Sequence, residues 1–598
     1  MTEALQPTET PRVPPPSGSI QVNFCKNPTC GNFGIPASDK TQSRGRHVKP
    51  GNDRYKVTGT PPAFTCLKCG EQIPVKSNEG IAEELSRLLV PLAPPPQPSC
   101  QTEGCPSAGV SPSAASGQYW SHTKTKAGTP RFRCKTCKKT LTMQGLSTLR
   151  QRKSHLNSEI FRALTQKMPL SCVAEFSRVS PKTVYRKIDF IHRQCLLFAS
   201  NRERRLPSMA IDRMYVCVDR MDHIINWTNR ADKRNITIQA VGSAELKSGY
   251  VLALHVNYDD TLSKDAVALA AIECADHEKQ PPFRRFARLW LPAEYELGVK
   301  LANGNTPSTK DMSSIDDWIE AVYADAAARG DVEQSDHPRS EWKPPGRGLL
   351  VHAEYTLYAH FLYLKSLLAG VGKIRFFLDQ ESGIRAACLS AFADEVLAKD
   401  CDAFYVSISK GVTKEKALAL VGESQRKLNE YVAQYGYECL KLQDQRRQYL
   451  KDKMHTLWSQ KGKWGDRWLE YPFPNMAEPE KRVCYLTNLK TDWFDYDDQH
   501  LANLLLKATL HPIDRFFMQT RRKTSMLERP ITSSSVQGRK WYGYSAYDPA
   551  MAAKMLEIYR VYYNFVKIGD DRKTPAMRLG LAKGPCTVED IIYYSPGS

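Results

Sequence analysis

Eight cysteines before residue 140 fall into four close pairs, and the arrangement of pairs occurs twice. The first set is CKNPTC (Cys25, Cys30) with CLKC (Cys66, Cys69), and the second is CQTEGC (Cys100, Cys105) with CKTC (Cys134, Cys137). The likeness extends past the cysteines: CKNPTCGNFGIPAS parallels CQTEGCPSAGVSPS, and GTPPAFTC parallels GTPRFRC. This is an internal repeat. Four thiolates on two short turns close a tetrahedral zinc site, and four thiolates leave no open position, so both sites are read as structural zinc. A small ribbon buries little apolar surface, so the metal supplies much of its folding energy. The total of 17 cysteines is odd, and close pairing in a reducing compartment means metal more often than disulfide.

Charge then limits the partner. A net charge of +20 implies a polyanion, nucleic acid before membrane surface. No apolar run is long enough for a membrane span, and the polar, Pro-rich start lacks the layout of a secretion signal, so a flexible tail on a cytoplasmic protein is expected. The second ribbon and the residues after it are the more basic, with Lys124, Lys126, Arg131, Arg133, Lys135, Lys138, Lys139, Arg150, Arg152 and Lys153. It is the better candidate for touching phosphates, which leaves the first as a partner surface or spacer. Between them, EELSRLLVPLAPPPQPS reads as a short helix and a stiff proline linker.

Residues 157–195 read as three helices, about 158–168, 171–177 and 181–195. SCVAEFSRVSPKTVYRKI has a helix-turn-helix layout: small Ala174, a tight turn, then Ser180 capping a helix opened by Pro181. Its last helix would offer Lys182, Thr183, Arg186 and Lys187 to the major groove of double-stranded DNA.

From about residue 207 the pattern turns to strands. MYVCVDRMDHIINW is a first strand, and NITIQAVGSAELKSGYVLALHVNYDD is a hairpin with Gly249 in its turn. An amphipathic helix (AEYTLYAHFLYLKSLLAG), a buried strand (KIRFFLD), a helix and another strand (DAFYVSIS) follow. That is the order of an RNase H-like α/β sheet. It would place Asp219, in the first strand, beside Asp379, at the end of the fourth. Asp212 competes with Asp219, which leaves the more natural connection to the hairpin; Glu381 is read as supporting the site from outside it. Two adjacent carboxylates repel unless cations lie between them. A pair of Mg²⁺ or Mn²⁺ ions would suit them and phosphodiester chemistry.

A third carboxylate is expected from HPIDRFFMQTRRKTSMLERP (511–530). Asp514 and Glu528 are about 21 Å apart along a helix, so they cannot both bind one metal pair. Asp514, in the first turn where the helix dipole favours an anion, is preferred, with Glu528 as the alternative. Arg515, Arg521 and Arg522 would hold substrate phosphates, and Glu528 would pair with a neighbouring arginine.

Basic zinc ribbon, helix-turn-helix, Asp219, Asp379 and the helix IDRFFMQTRRKTSMLERP together resemble bacterial insertion-sequence transposases of the DDE superfamily. The ending YYNFVKIGDDRKTPAMRLGL (562–581) is similar to a TPA-containing tail common among them. The resemblance covers roughly 100–598 and implies an RNase H-like catalytic domain with a third acid at Asp514. It also implies cleavage and joining of DNA strands at transposon ends and in target DNA, and a homodimer or higher multimer on nucleoid DNA. Asp stands where the family usually has Glu, and two long inserts, about 277–347 and 411–500, interrupt the catalytic segments. The multidomain organisation expected is a disordered tail (1–20), zinc ribbons at 21–80 and 100–145 joined by a linker (81–99), an all-α helix-turn-helix domain (155–200), catalytic segments (207–410 and 501–545) around the 411–500 insertion, and a helical tail (546–598).

Overall fold

A computed structural model describes residues 11–38, 54–296, 342–528 and 544–595, apart from single positions and short stretches within them. The chain is a multidomain mixed α/β protein built on one large sheet. We number that sheet's strands β1 (Ile211–Ile225), β2 (Ile236–Glu245), β3 (Val251–Val256), β4 (Val371–Asp379), β5 (Cys401–Ile408), β6 (Trp458–Lys461), β7 (Asp466–Glu470) and β8 (Lys481–Tyr485). Their spatial order is β6-β7-β8-β5-β4-β1-β2-β3. β1, β2 and β3 are antiparallel neighbours, β4 runs parallel to both β1 and β5, and β8 joins β5 antiparallel. Gly249 turns the β2–β3 hairpin with φ +70°, in the left-handed region that a side chain disfavours. β4 is buried from Ile374 to Asp379, as a central parallel strand covered on both faces must be.

Helix Ala353–Leu367, expected to be amphipathic, is buried almost all round. Its outer side is covered by helix Asn78–Leu89, which therefore is a piece of core and not a linker: Ile81 and Leu88 share the cluster of Leu357, Phe361 and Leu364. Polar contacts reinforce the docking, with Lys76 2.9 Å from Glu354 and Thr356 donating to Glu84 at 2.8 Å. The expected tail is also partly structural. Val13 is buried, and Asn78 donates to the carbonyls of Pro14 and Pro15.

Each cysteine set lies on a three-stranded antiparallel sheet, Tyr55–Thr58 with Ala63–Cys66 and Gln72–Pro74, then Tyr119–Lys124 with Pro130–Cys134 and Thr140–Thr142. The three helices after them are Asn157–Leu164, Leu170–Phe176 and Pro181–Glu203. Ser180 caps the third as its spacing predicts, but that helix runs eight residues beyond the expected end. It continues because Cys195, Phe198 and Ala199 belong to the main core.

The charged stretch after β5 is two helices, Lys414–Tyr435 and Leu442–Leu457, broken where Gly436 takes φ +68°. The rest of that insert supplies β6, β7 and β8, so it extends the large sheet. Of the earlier insert, 297–341 lies outside the described residues. The C-terminal segment is not peripheral either. Asn564 makes two 2.9 Å hydrogen bonds with the backbone of Val251, standing in for a neighbouring strand at the β3 edge, and Arg560 pairs with buried Glu203 at 2.6 Å.

Candidate metal and nucleic-acid sites

Leu378 of β4 lies opposite Val218 of β1, so Asp379, the last residue of β4, and Asp219, within β1, lie side by side. Both are buried, at 8% and 7% exposure. Asp219, Asp379 and Glu381 each bring a carboxylate oxygen within 4.8 Å of the others, a grouping able to hold a metal ion. The backbone N–H of Arg220 donates to Asp219 at 2.7 Å, that of Gln380 to Asp379 at 2.9 Å, and the Arg220 guanidinium to Glu381 at 3.0 Å. Burial and the charges of Asp379, Asp514 and Glu381 push the Asp219 carboxyl well above the ordinary range. A divalent cation would relieve that repulsion, so the donor set fits Mg²⁺ or Mn²⁺.

Asp514 lies in the first turn of helix His511–Lys523, close enough to act on Asp219 by charge yet outside that 4.8 Å grouping. Glu381, expected to stand outside the site, is inside the grouping because the chain leaves β4 at Asp379 and folds back past its end. The Asp514 helix lies flat on the sheet because Gly242, paired with Asp219 across β1 and β2, has no side chain. A Cβ there would come within 2.7 Å of Ile513 and 2.9 Å of Phe517. No feature of the β2 sequence alone marks Gly242 for this role.

Asp212 is exposed at the other end of β1, seven residues or about 23 Å from Asp219. Glu528 is not on the helix, which ends at Lys523 and is followed by the turn Ser525–Leu527. It pairs with Lys167 at 2.8 Å, and the Lys167 N–H donates to the Lys523 carbonyl at 2.7 Å. The expected arginine partner is thus a lysine of the three-helix segment, because that segment docks on the end of the Asp514 helix. Arg515 and Arg522 are exposed; Arg521 is half-buried beside His223, which burial and the Arg521 charge hold down to about 3.

In the first cysteine cluster the sulfurs of Cys25 and Cys69 are 3.5 Å apart and those of Cys30 and Cys66 3.7 Å. In the second, Cys100 and Cys137 are 3.4 Å apart and Cys105 and Cys134 3.8 Å. Tetrahedral zinc with about 2.3 Å bonds needs sulfurs about 3.8 Å apart, so both clusters can hold zinc. A hydrogen bond from Cys25 lowers the Cys69 thiol to about 6, and the Cys137 backbone N–H does the same for Cys134. The duplication includes a residue not anticipated. Tyr55 accepts from the Cys25 N–H at 2.9 Å, and Tyr119 from the Cys100 N–H at 3.3 Å. The signal was available as the tyrosine that opens the first strand of each repeat.

The first cysteine cluster is tied to the helix that follows Glu381. Glu71 accepts from Cys25 at 3.2 Å and from the Lys26 N–H at 2.9 Å, and it pairs at 2.7 Å with Arg385 on helix Ile384–Ala391, just beyond Glu381. In the second ribbon Arg133 and Lys135 are exposed and Arg131 half-buried. Lys182 and Arg186 are exposed and Thr183 half-buried on the third helix, but Lys187 is buried at 3%. Its ammonium donates to the carbonyls of Arg152 and Lys153 at 3.0 and 2.9 Å, so it ties two segments together and does not face a groove.

No protein-family model matches the chain, and no curated protein is significantly similar to it. Among the described residues no helix is long and apolar enough to cross a membrane.

Proposed function

We propose that this protein is a DNA transposase whose acidic group cuts and joins DNA strands. The single observation that carries the reading is the side-by-side placement of Asp219 and Asp379 on neighbouring parallel strands, with Glu381 beside them. The order β3-β2-β1-β4-β5, with three antiparallel strands followed by two parallel ones, supports an RNase H-like catalytic sheet. Asp219, Asp379 and Glu381 would hold divalent cations, with Asp514 as the further acid supplied by the helix. When bound, such ions activate a water or 3′-hydroxyl and stabilise the leaving oxygen of a phosphodiester.

The protein's own groups do the rest. Arg220 fixes Glu381 and Asp219, one through its guanidinium and one through its N–H. Arg515 and Arg522 face solvent where substrate phosphates can reach them. Lys182 and Arg186 meet the major groove, while Arg133 and Lys135 follow the backbone. The contacts of Lys167 with Glu528 and the Lys523 carbonyl support direct delivery of bound DNA to the Asp514 helix.

The test is strand cleavage and strand transfer on labelled DNA taken from the gene's flanks, with Mg²⁺ or Mn²⁺. Joined products support a transposase. Cleavage without joining makes the protein a nuclease, and binding without cleavage under either metal makes it a zinc and helix-turn-helix regulator.

A further inference from the structure

The C-terminal segment YYNFVKIGDDRKTPAMRLGL has no role in the chemistry above, yet it packs against the helix that carries Asp514, Tyr563 on Phe516 and Lys567 on Gln519. Thr574 caps helix Pro575–Leu579, Pro575 opens it, and Gly580 closes it at φ +86°. Arg578 braces the preceding turn through Asp571 at 2.8 Å and reaches the Ser248 carbonyl in the β2–β3 turn at 3.1 Å. This brace fixes the turn Lys567–Lys573 opposite residue 515, and the two enclose a pocket of about 260 Å³ lined by Arg515, Tyr563, Lys567, Gly569, Asp571 and Arg578.

The charges in that pocket are unbalanced. Asp571 is taken up by Arg578, and the exposed Asp570 also lines the pocket, so one carboxylate stands against the two cations Arg515 and Lys567. Among the described residues the Arg515 side chain makes no hydrogen bond or ion pair. Lys567 has a neutral partner only, the side-chain carbonyl of Gln519. Burial first, and then the charges of Arg515 and Lys523, hold the Lys567 ammonium below its ordinary range. An anion seated between them would relieve the repulsion and accept hydrogen bonds from both side chains.

We propose that this pocket is a phosphate site, in which Arg515 and Lys567 grip one backbone phosphate of a DNA strand on its way to the acidic group. The pocket is formed by the residue next to Asp514, so a phosphate held there sets the position of the strand relative to Asp219 and Asp379. The C-terminal segment is thereby a part of the DNA-binding surface and not only a brace. The site rests on the DNA-binding half of the proposed function and not on the chemistry.

The experiment is a salt titration of affinity for the flanking DNA, using the full chain and the variants Lys567→Gln and Arg515→Gln, with Lys567→Arg as the charge-conserving control. Removal of one phosphate contact lowers the slope of log affinity against log salt by about 0.9, or roughly 3- to 4-fold in affinity between 50 and 200 mM salt. Lys567→Gln and Arg515→Gln are expected to show that loss and Lys567→Arg to retain the full slope. Single methylphosphonate substitutions along the DNA should reveal one position that weakens wild type and weakens Lys567→Gln and Arg515→Gln less. Equal slopes and equal methylphosphonate profiles in all four proteins overturn the pocket. A wild type that binds but never cuts overturns the transposase reading alone, and one that binds no DNA at low salt overturns both.

Discussion

Gly242 and Asp219 face each other across β1 and β2, and the missing side chain of the first admits the helix that carries Asp514. The acidic group thus depends on a close approach at the residue directly across from Asp219. Gly242→Ala places a methyl group within 2.7 Å of Ile513 and 2.9 Å of Phe517, both buried, so the helix must lift. Overpacking of this kind costs about 1–3 kcal/mol. The expected outcome is a lower thermal midpoint together with loss of cleavage, while affinity for DNA is kept; calorimetry and a binding titration check it.

Asp219 gives a prediction of opposite sign. Its carboxyl is held well above the ordinary range by burial, by Asp379, Asp514 and Glu381. A raised acid binds more protons folded than unfolded, so its contribution to stability is full below the unfolded value near 4 and is lost as pH rises towards the folded one. In the metal-free protein this contribution is therefore expected to fall as pH rises above about 4, and the difference between wild type and Asp219→Asn isolates it from the opposing titration of buried histidines such as His223. Asp219→Asn, or added Mg²⁺, should remove that fall, so that without metal Asp219→Asn gains stability relative to wild type as pH rises. Thermal melts from pH 4 to 8 with and without Mg²⁺ measure this; a variant as pH-sensitive as wild type contradicts it.

The two cysteine clusters should separate in function. The first shares a core with Val13, Tyr55, Phe64 and Ile73 and is tied by Glu71 to Arg385, whereas the second has a core of Cys100, Tyr119 and Cys134. Metal analysis of purified protein is expected to give two zinc ions per chain. Cys66→Ser should lower both the main thermal transition and cleavage, because the Arg385 helix follows Glu381. Cys134→Ser should weaken DNA binding and leave the main transition in place.

Lys187 and its neighbours on the third helix divide in the same way. Lys187→Met removes two hydrogen bonds from a buried ammonium and should destabilise by about 1–3 kcal/mol. Lys182→Ala and Arg186→Ala, both exposed, should leave stability alone and each lower the salt slope of DNA binding by about one.

Much of the architecture was legible because it rests on local pattern. The paired cysteines, the Ser180–Pro181 cap and the β2–β3 hairpin are each set by residues a few positions apart. Asp219 and Asp379 could be placed together because the element order read as an RNase H-like sheet, in which the first and fourth strands are neighbours, and β1 and β4 are neighbours here. What was not legible came from distant segments. Helix Ala353–Leu367 reads as half-exposed until helix Asn78–Leu89, more than 260 positions earlier, covers it. Lys187 reads as a groove contact until the carbonyls of Arg152 and Lys153 receive it. Glu381 reads as peripheral because its approach depends on how the chain turns after β4, and Glu528 reads as helical because the end of the Asp514 helix is set by docking of Lys167.

The most direct test of the account is Mg²⁺- or Mn²⁺-dependent scission of the flanking DNA by wild type and by Asp379→Asn, Glu381→Gln, Asp514→Asn and Glu528→Gln, each first shown to bind that DNA as wild type does. The account predicts that Asp379→Asn abolishes scission, that Glu381→Gln and Asp514→Asn reduce it by at least tenfold, and that Glu528→Gln retains it. Wild-type scission that persists undiminished in Asp379→Asn would contradict the assignment of chemistry to the acidic group.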